Sequence, residues 1–178
     1  MKSGIFKEFV VPTLVLTLIC LFATAALAAT NSVTAPIIKE ANERAAQEAR
    51  VKVLPEADSF TPIQMEGIEG LVDIYKADNG AGYVVTTEAS GYGGLIRVMT
   101  GITSDGAISQ CTVLSQSESP GLGTRVAEEP YLSQYPGKTR ELEGVDTISG
   151  STVSSKAFEQ AVDTAFQAYE QAVGKEAA

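Results

Sequence analysis

The sequence predicts an α+β domain carried behind an apolar N-terminal helix, and three observations predict it. The stretch from Phe9 to Ala29 contains no charged side chain, and about 20 apolar residues suffice to cross a bilayer core. The middle of the chain alternates short β-rich runs with Gly-containing turns. The C-terminal segment returns to a helical period.

Taking the elements in order, Lys2 and Lys7 precede the apolar stretch, Pro12 falls in its first turn, and no basic residue follows until Lys39. Proline is tolerated there, and the charge bias leaves the N-terminus in the cytoplasm. Residues 1–8 therefore read as a cytoplasmic N-terminus, 9–29 as a transmembrane anchor, 30–55 as a connecting helix and 56–178 as an extracytoplasmic domain. Ala26-Leu27-Ala28 also fits a small-x-small cleavage site, so a removed signal peptide competes with the anchor. Both place the domain outside the cytoplasm. Cys20 follows Ile19, a poor fit to lipoprotein processing. In the connecting segment Pro36 suits a first helical turn, Ile37, Ile38, Ala41, Ala45, Ala49 and Val53 make a weakly apolar face, and Pro55 ends the helix. Its reading is a solvated linker without chemistry.

Residues 71–75 and 82–86 are short β-rich runs joined by Asp78-Asn79-Gly80, a strong hairpin signal. Residues 95–102 and 107–114 follow, joined around Ser104-Asp105-Gly106. The expectation is an antiparallel sheet of about four strands flanked by helices. The last helix is read from Val153, Ala157, Ala161, Val162, Ala165, Ala168 and Tyr169, which recur at helical spacing.

Composition removes whole classes of function. The formal net charge of −9 argues against a nucleic-acid surface. With no histidine in the chain, His-assisted triads, bis-His haem ligation and His-containing zinc sites are excluded. Cys20 and Cys111 are too few for an iron–sulfur cluster and badly placed for an internal disulfide. An electron carrier built on this chain needs an organic cofactor, and no metal site is expected.

Two segments carry chemistry. Asp146-Thr147-Ile148-Ser149-Gly150-Ser151-Thr152 puts a hydroxyl behind a flexible turn at a helix start, where unpaired amides and the dipole stabilise an anion. An ordinary N-cap reads the same way. Glu118-Ser119-Pro120-Gly121-Leu122-Gly123-Thr124-Arg125 is a Gly-rich loop that permits close backbone approach. Ser90-Gly91-Tyr92-Gly93-Gly94 is a second such loop, explained equally well by a tight turn. As single residues, Glu118 and Arg125 are ordinary solvated charges, and Tyr131 and Tyr135 are ordinary packing residues.

Together the two segments resemble the motifs of the FMN-binding domains of the Rnf and Nqr respiratory complexes, and the overall pattern is most similar to the G-subunit branch of Rnf. The first matches the flavinylation motif Asp-x-x-Ser-Gly-x-Thr, with Ser151 where Ala is usual. The second matches Glu-Thr-Pro-Gly-Leu-Gly, with Ser119 in place of Thr. The resemblance implies FMN joined by a phosphoester to Thr152 by a dedicated flavin transferase, with Ser151 as a second hydroxyl beside the acceptor. It further implies cofactor contacts from Asp146, Ser149, Gly150, Ser151, Glu118, Gly121, Leu122, Gly123 and Thr124. An uncleaved single-pass anchor in the plasma membrane, membrane and iron–sulfur partner subunits, and no independent substrate site belong to the same expectation. The longer C subunit of the sodium-pumping NADH:quinone reductase and a stand-alone extracytoplasmic interaction module are the alternatives.

Overall fold

The computed structural model describes residues 9–176, so the basic N-terminal segment with Lys2 and Lys7 lies outside the described residues. The chain divides into two compact units, Met1–Ala45 and Ala46–Ala178. Helix α1 runs Val11–Val53 and supplies most of the first unit.

In the first unit, apolar side chains such as Leu16, Ile19, Leu21, Phe22 and Leu27 are 60–80% exposed. Hydroxyls along this stretch turn back onto the helix: Thr13 donates to the Phe9 carbonyl (2.7 Å), Thr17 to Thr13 (2.8 Å) and Thr30 to Ala26 (2.9 Å). A helix that satisfies its own polar groups and shows apolar side chains outward suits a lipid solvent. Pro36 lies inside α1 and not in a first turn as the sequence suggested. Its ring removes one amide donor, and α1 nonetheless continues through it.

The second unit is a five-stranded antiparallel meander in the order β1-β2-β3-β4-β5. Its strands are β1 Phe60–Pro62, β2 Leu71–Ala77, β3 Gly82–Ser90, β4 Leu95–Thr103 and β5 Ile108–Ser115. Sequence reasoning expected about four; β1 is the addition, a three-residue edge strand containing a proline and paired to β2. The β2–β3 turn is fixed by Gly80 at φ 77°, with the Asn79 side chain accepting from the Ala81 amide at 3.1 Å.

After β5 come a 3-10 turn, Gly123–Ala127, the short helix α2, Glu129–Leu132, and the long helix α3, Thr152–Glu176. Helix α3 lies across β3 and β4, burying Ala157, Phe158, Ala161, Val162, Ala165, Phe166, Ala168 and Ala172. The small residues let it approach closely, and Thr87 on β3 donates to the Ala161 carbonyl at 2.8 Å. Val153, grouped with this face by spacing, is instead 54% exposed.

The opposite face of the sheet is covered by the end of α1. Val53 and Leu54 are fully buried among Ala77, Val84 and Met99, with Ala46 and Ala49 against them. Gly101 makes this seat, because a β-carbon there would run into the Val53 carbonyl. These last turns therefore form part of the domain core, which the solvated-linker reading did not anticipate.

Candidate functional site

The start of α3 is built by local hydrogen bonds. Gly150 takes φ 80°, a conformation that a β-carbon disfavours. The Ser151 amide donates to Ile148 (2.9 Å), and the Ser155 amide donates to the Ser151 carbonyl (3.0 Å), the first helical bond. Ser155 Oγ accepts from the Ile148 amide at 3.0 Å. The amides of Thr152, Val153 and Ser154 fall in the turn that helix geometry leaves without intrahelical acceptors. Behind them Tyr135 donates to the Tyr131 hydroxyl at 2.7 Å, and Tyr131 donates to the Ser155 carbonyl at 3.3 Å. Both rings are buried, so they are packing residues as expected, and burial raises both phenols above the ordinary tyrosine range.

The Gly-rich loop approaches this helix start. Pro120-Gly121 suits the middle of a type II turn; Gly121 has φ 73° and the Leu122 amide donates to Ser119 at 3.2 Å. The turn is tied off by Thr124, whose Oγ1 accepts from the Gly121 amide at 3.0 Å. Leu122 is left 45% exposed at its tip, 3.4 Å from where a β-carbon on Gly150 would sit.

Glu118 is 5% exposed, not the solvated charge that its position in a loop suggested. Its Oε1 accepts from the Gly93 amide (3.0 Å) and its Oε2 from the Ser154 hydroxyl (2.6 Å). One carboxylate thus ties both Gly-rich loops to the first turn of α3. The surrounding glycines are required: a β-carbon on Gly91 would strike Glu118 Oε1, and one on Gly123 would lie 2.8 Å from Glu118 Cβ and 2.9 Å from Ser154 Oγ. Gly123→Ala is expected to cost about 1–3 kcal/mol by overpacking. Thermal unfolding of the full chain in detergent measures it as a lowered midpoint.

These elements enclose an open cleft of about 490 Å³ lined by Tyr92, Glu118, Ser119, Leu122, Gly123 and residues 150–154. The volume falls within the roughly 300–1,000 Å³ of small-molecule sites. Tyr92 (76% exposed), Leu122 and Val153 give it apolar walls, and the helix start gives it an anion-binding end. Thr152 is exposed on that end whereas Ser151 is 5% exposed. An aromatic ring system with a phosphate tail fits this combination of flat apolar walls, glycine-cleared space and free amides.

Of the residues expected from sequence, Glu118, Leu122, Gly123, Gly150, Ser151 and Thr152 meet in the cleft. Gly121 and Thr124 brace its loop. Asp146 and Ser149 line a separate, adjacent depression of about 220 Å³, together with Arg125. The Asp146 backbone is held there by the Gln134 side chain, whose Oε1 accepts from the Asp146 amide at 2.8 Å. Sequence reasoning missed Ser154 and misassigned Val153. Cys111 is buried on β5, its thiol pushed up to about 12 by desolvation, so it stays a protonated packing residue.

Fold and cleft define a flavin-nucleotide-binding domain attached to an apolar helix, and residues 91–167 match the family described as the FMN-binding domain. Over 88% of its length the chain is 36% identical to the G subunit of the Na(+)-translocating ferredoxin:NAD(+) oxidoreductase complex of Acetobacterium woodii, covering 89% of that protein. It is 30% identical to the G subunit of the ion-translocating oxidoreductase complex of Methanosarcina acetivorans, over 89% of this chain and 93% of that one. The chain belongs to this family, the G subunits of Rnf-type complexes. Among solved structures it is similar to Shewanella oneidensis NqrC, with a TM-score of 0.49 and 20% identity over 60% of this chain and 63% of that one.

Proposed function

We propose that this chain is the membrane-anchored electron-carrying subunit of an ion-translocating ferredoxin:NAD oxidoreductase complex, and that it holds FMN as a phosphoester on Thr152. The observation that carries the attachment is the exposed Thr152 hydroxyl at a helix start inside an apolar cleft, beside a buried Ser151. The N-terminus lies in the cytoplasm, α1 anchors the chain, and the domain faces outward among the membrane and iron–sulfur subunits of the complex. The 36% and 30% identity to G-subunit relatives supports this reading over a C-subunit type of chain.

Maturation by a flavin transferase would consume FAD. The Thr152 oxygen bonds to the FMN phosphorus, the pyrophosphate linkage to the adenylate breaks, and AMP departs with the hydroxyl proton. The amides of the first α3 turn would hold the phosphate, and Leu122, Val153 and Tyr92 would flank the ring. When bound, FMN supplies the electron-carrying chemistry that the chain's own residues lack. A covalent link prevents loss of cofactor in a compartment without a flavin pool.

The test is co-expression of the full chain with and without a flavin transferase, followed by intact mass and a denaturing gel under ultraviolet light. The expected product gains the mass of FMN less one water and fluoresces only with the transferase. A chain from its native host that is colourless and carries no added mass would overturn the proposal.

A further inference from the structure

The buried Glu118 carboxylate has a role that its hydrogen bonds specify. Both of its oxygens are engaged inside the protein, by the Gly93 amide at 3.0 Å and the Ser154 hydroxyl at 2.6 Å. It nonetheless lines the same cleft as Thr152. No ion pair to Glu118 occurs among the described residues: the Arg side chain of its own loop, Arg125, lines the adjacent depression. At 5% exposure the carboxylate is poorly screened by water.

Resting on the FMN assignment above, we infer that Glu118 is a positioning residue that fixes a negative charge beside the flavin and lowers its reduction potential. Reduction of a flavin adds electrons, so a nearby fixed anion disfavours it, most strongly where the local dielectric is low. Ser154 moderates that charge by donating to Oε2. The glycines at 91 and 123 leave room for the carboxylate to stay locked in this place while the cleft remains open to the ring. Glu118 thus acts on the cofactor through its field, without ligating it.

Glu118 and its partner Ser154 give variants with opposite expected signs. Glu118→Gln keeps the shape and removes the charge, so the potential of the attached flavin rises. Ser154→Ala keeps the charge and removes its donor, so the potential falls. Both are read by spectroelectrochemical titration of the full-length flavinylated chain in detergent, after mass measurement confirms equal FMN loading. A rise in Glu118→Gln together with a fall in Ser154→Ala supports the assignment. An unchanged or lowered potential in Glu118→Gln, or an unchanged or raised one in Ser154→Ala, overturns it. If Glu118→Gln fails to accumulate with flavin, Ser154→Ala decides alone, and a potential at or above wild type overturns the assignment. Absence of flavin in the wild-type chain strikes at the FMN reading instead, so the two failures are distinguishable.

Discussion

Thr152→Ala is expected to leave a folded chain that carries no covalent flavin, while Ser151→Ala keeps its flavin. Thr152 is exposed at the first position of α3, and alanine is a good helix former, so its removal changes stability by at most about 0.5 kcal/mol. Everything lost is then chemical: no hydroxyl remains for the phosphoester. Ser151 is 5% exposed, and its carbonyl accepts the first helical bond from Ser155. Alanine at position 151 keeps that carbonyl and its bond, and the acceptor hydroxyl of Thr152 survives, so the flavin is retained with little change in stability. Thr152→Ser retains an oxygen at the same place and is expected to be flavinylated. In-gel fluorescence and intact mass, set beside a thermal midpoint for each variant, separate these outcomes. Fluorescence persisting in Thr152→Ala and vanishing in Ser151→Ala would move the attachment by one residue and remove the argument from exposure.

The contrast between these neighbours shows what the sequence could not display. Ser151 and Thr152 both offer a hydroxyl after Gly150, and only the phase with which α3 leaves the turn buries one and presents the other. Glu118 was legible as a motif residue, but its burial was not. Its partners Gly93 and Ser154 lie 25 and 36 residues away, and no local period reports a contact of that kind. Asp146 and Ser149 share a motif with Thr152, yet the turn closed by the Ser151 amide on Ile148 places them on the other side of the helix start.

The sheet was more readable, because its signals are local. Asp78-Asn79-Gly80 and Ser104-Asp105-Gly106 each put a glycine where the turn needs positive φ, at 77° and 82°. Strand β1 escaped because three residues ending in proline have too little alternation to register and depend on β2 for pairing. The end of α1 escaped for a related reason. Its burial depends on Gly101 of β4 admitting the Val53 carbonyl, a fit between segments that neither segment announces.

The largest effect on stability is expected from Phe158→Ala. Phe158 is fully buried on α3, with ring centroids 4.8 Å from Tyr135 and 5.4 Å from Tyr131 in tilted and edge-on arrangements. Truncating such a ring costs about 3–5 kcal/mol through lost transfer energy and the cavity left behind, a large share of the roughly 5–15 kcal/mol that a domain possesses. A midpoint lowered by on the order of 10 °C is expected for the full chain in detergent, and Phe158→Leu, which refills most of the space, should recover the greater part. The consequence reaches the cleft, because the same aromatic pair supports the Ser155 carbonyl through the Tyr135 to Tyr131 hydroxyl relay. Loosening that support frees the first turn of α3, so flavinylation of Phe158→Ala should be slower even at temperatures where the variant is folded. A variant that melts early but accepts flavin at the wild-type rate would show that the helix start is held by its own capping bonds alone, and that the buried tyrosines serve the core without serving the site.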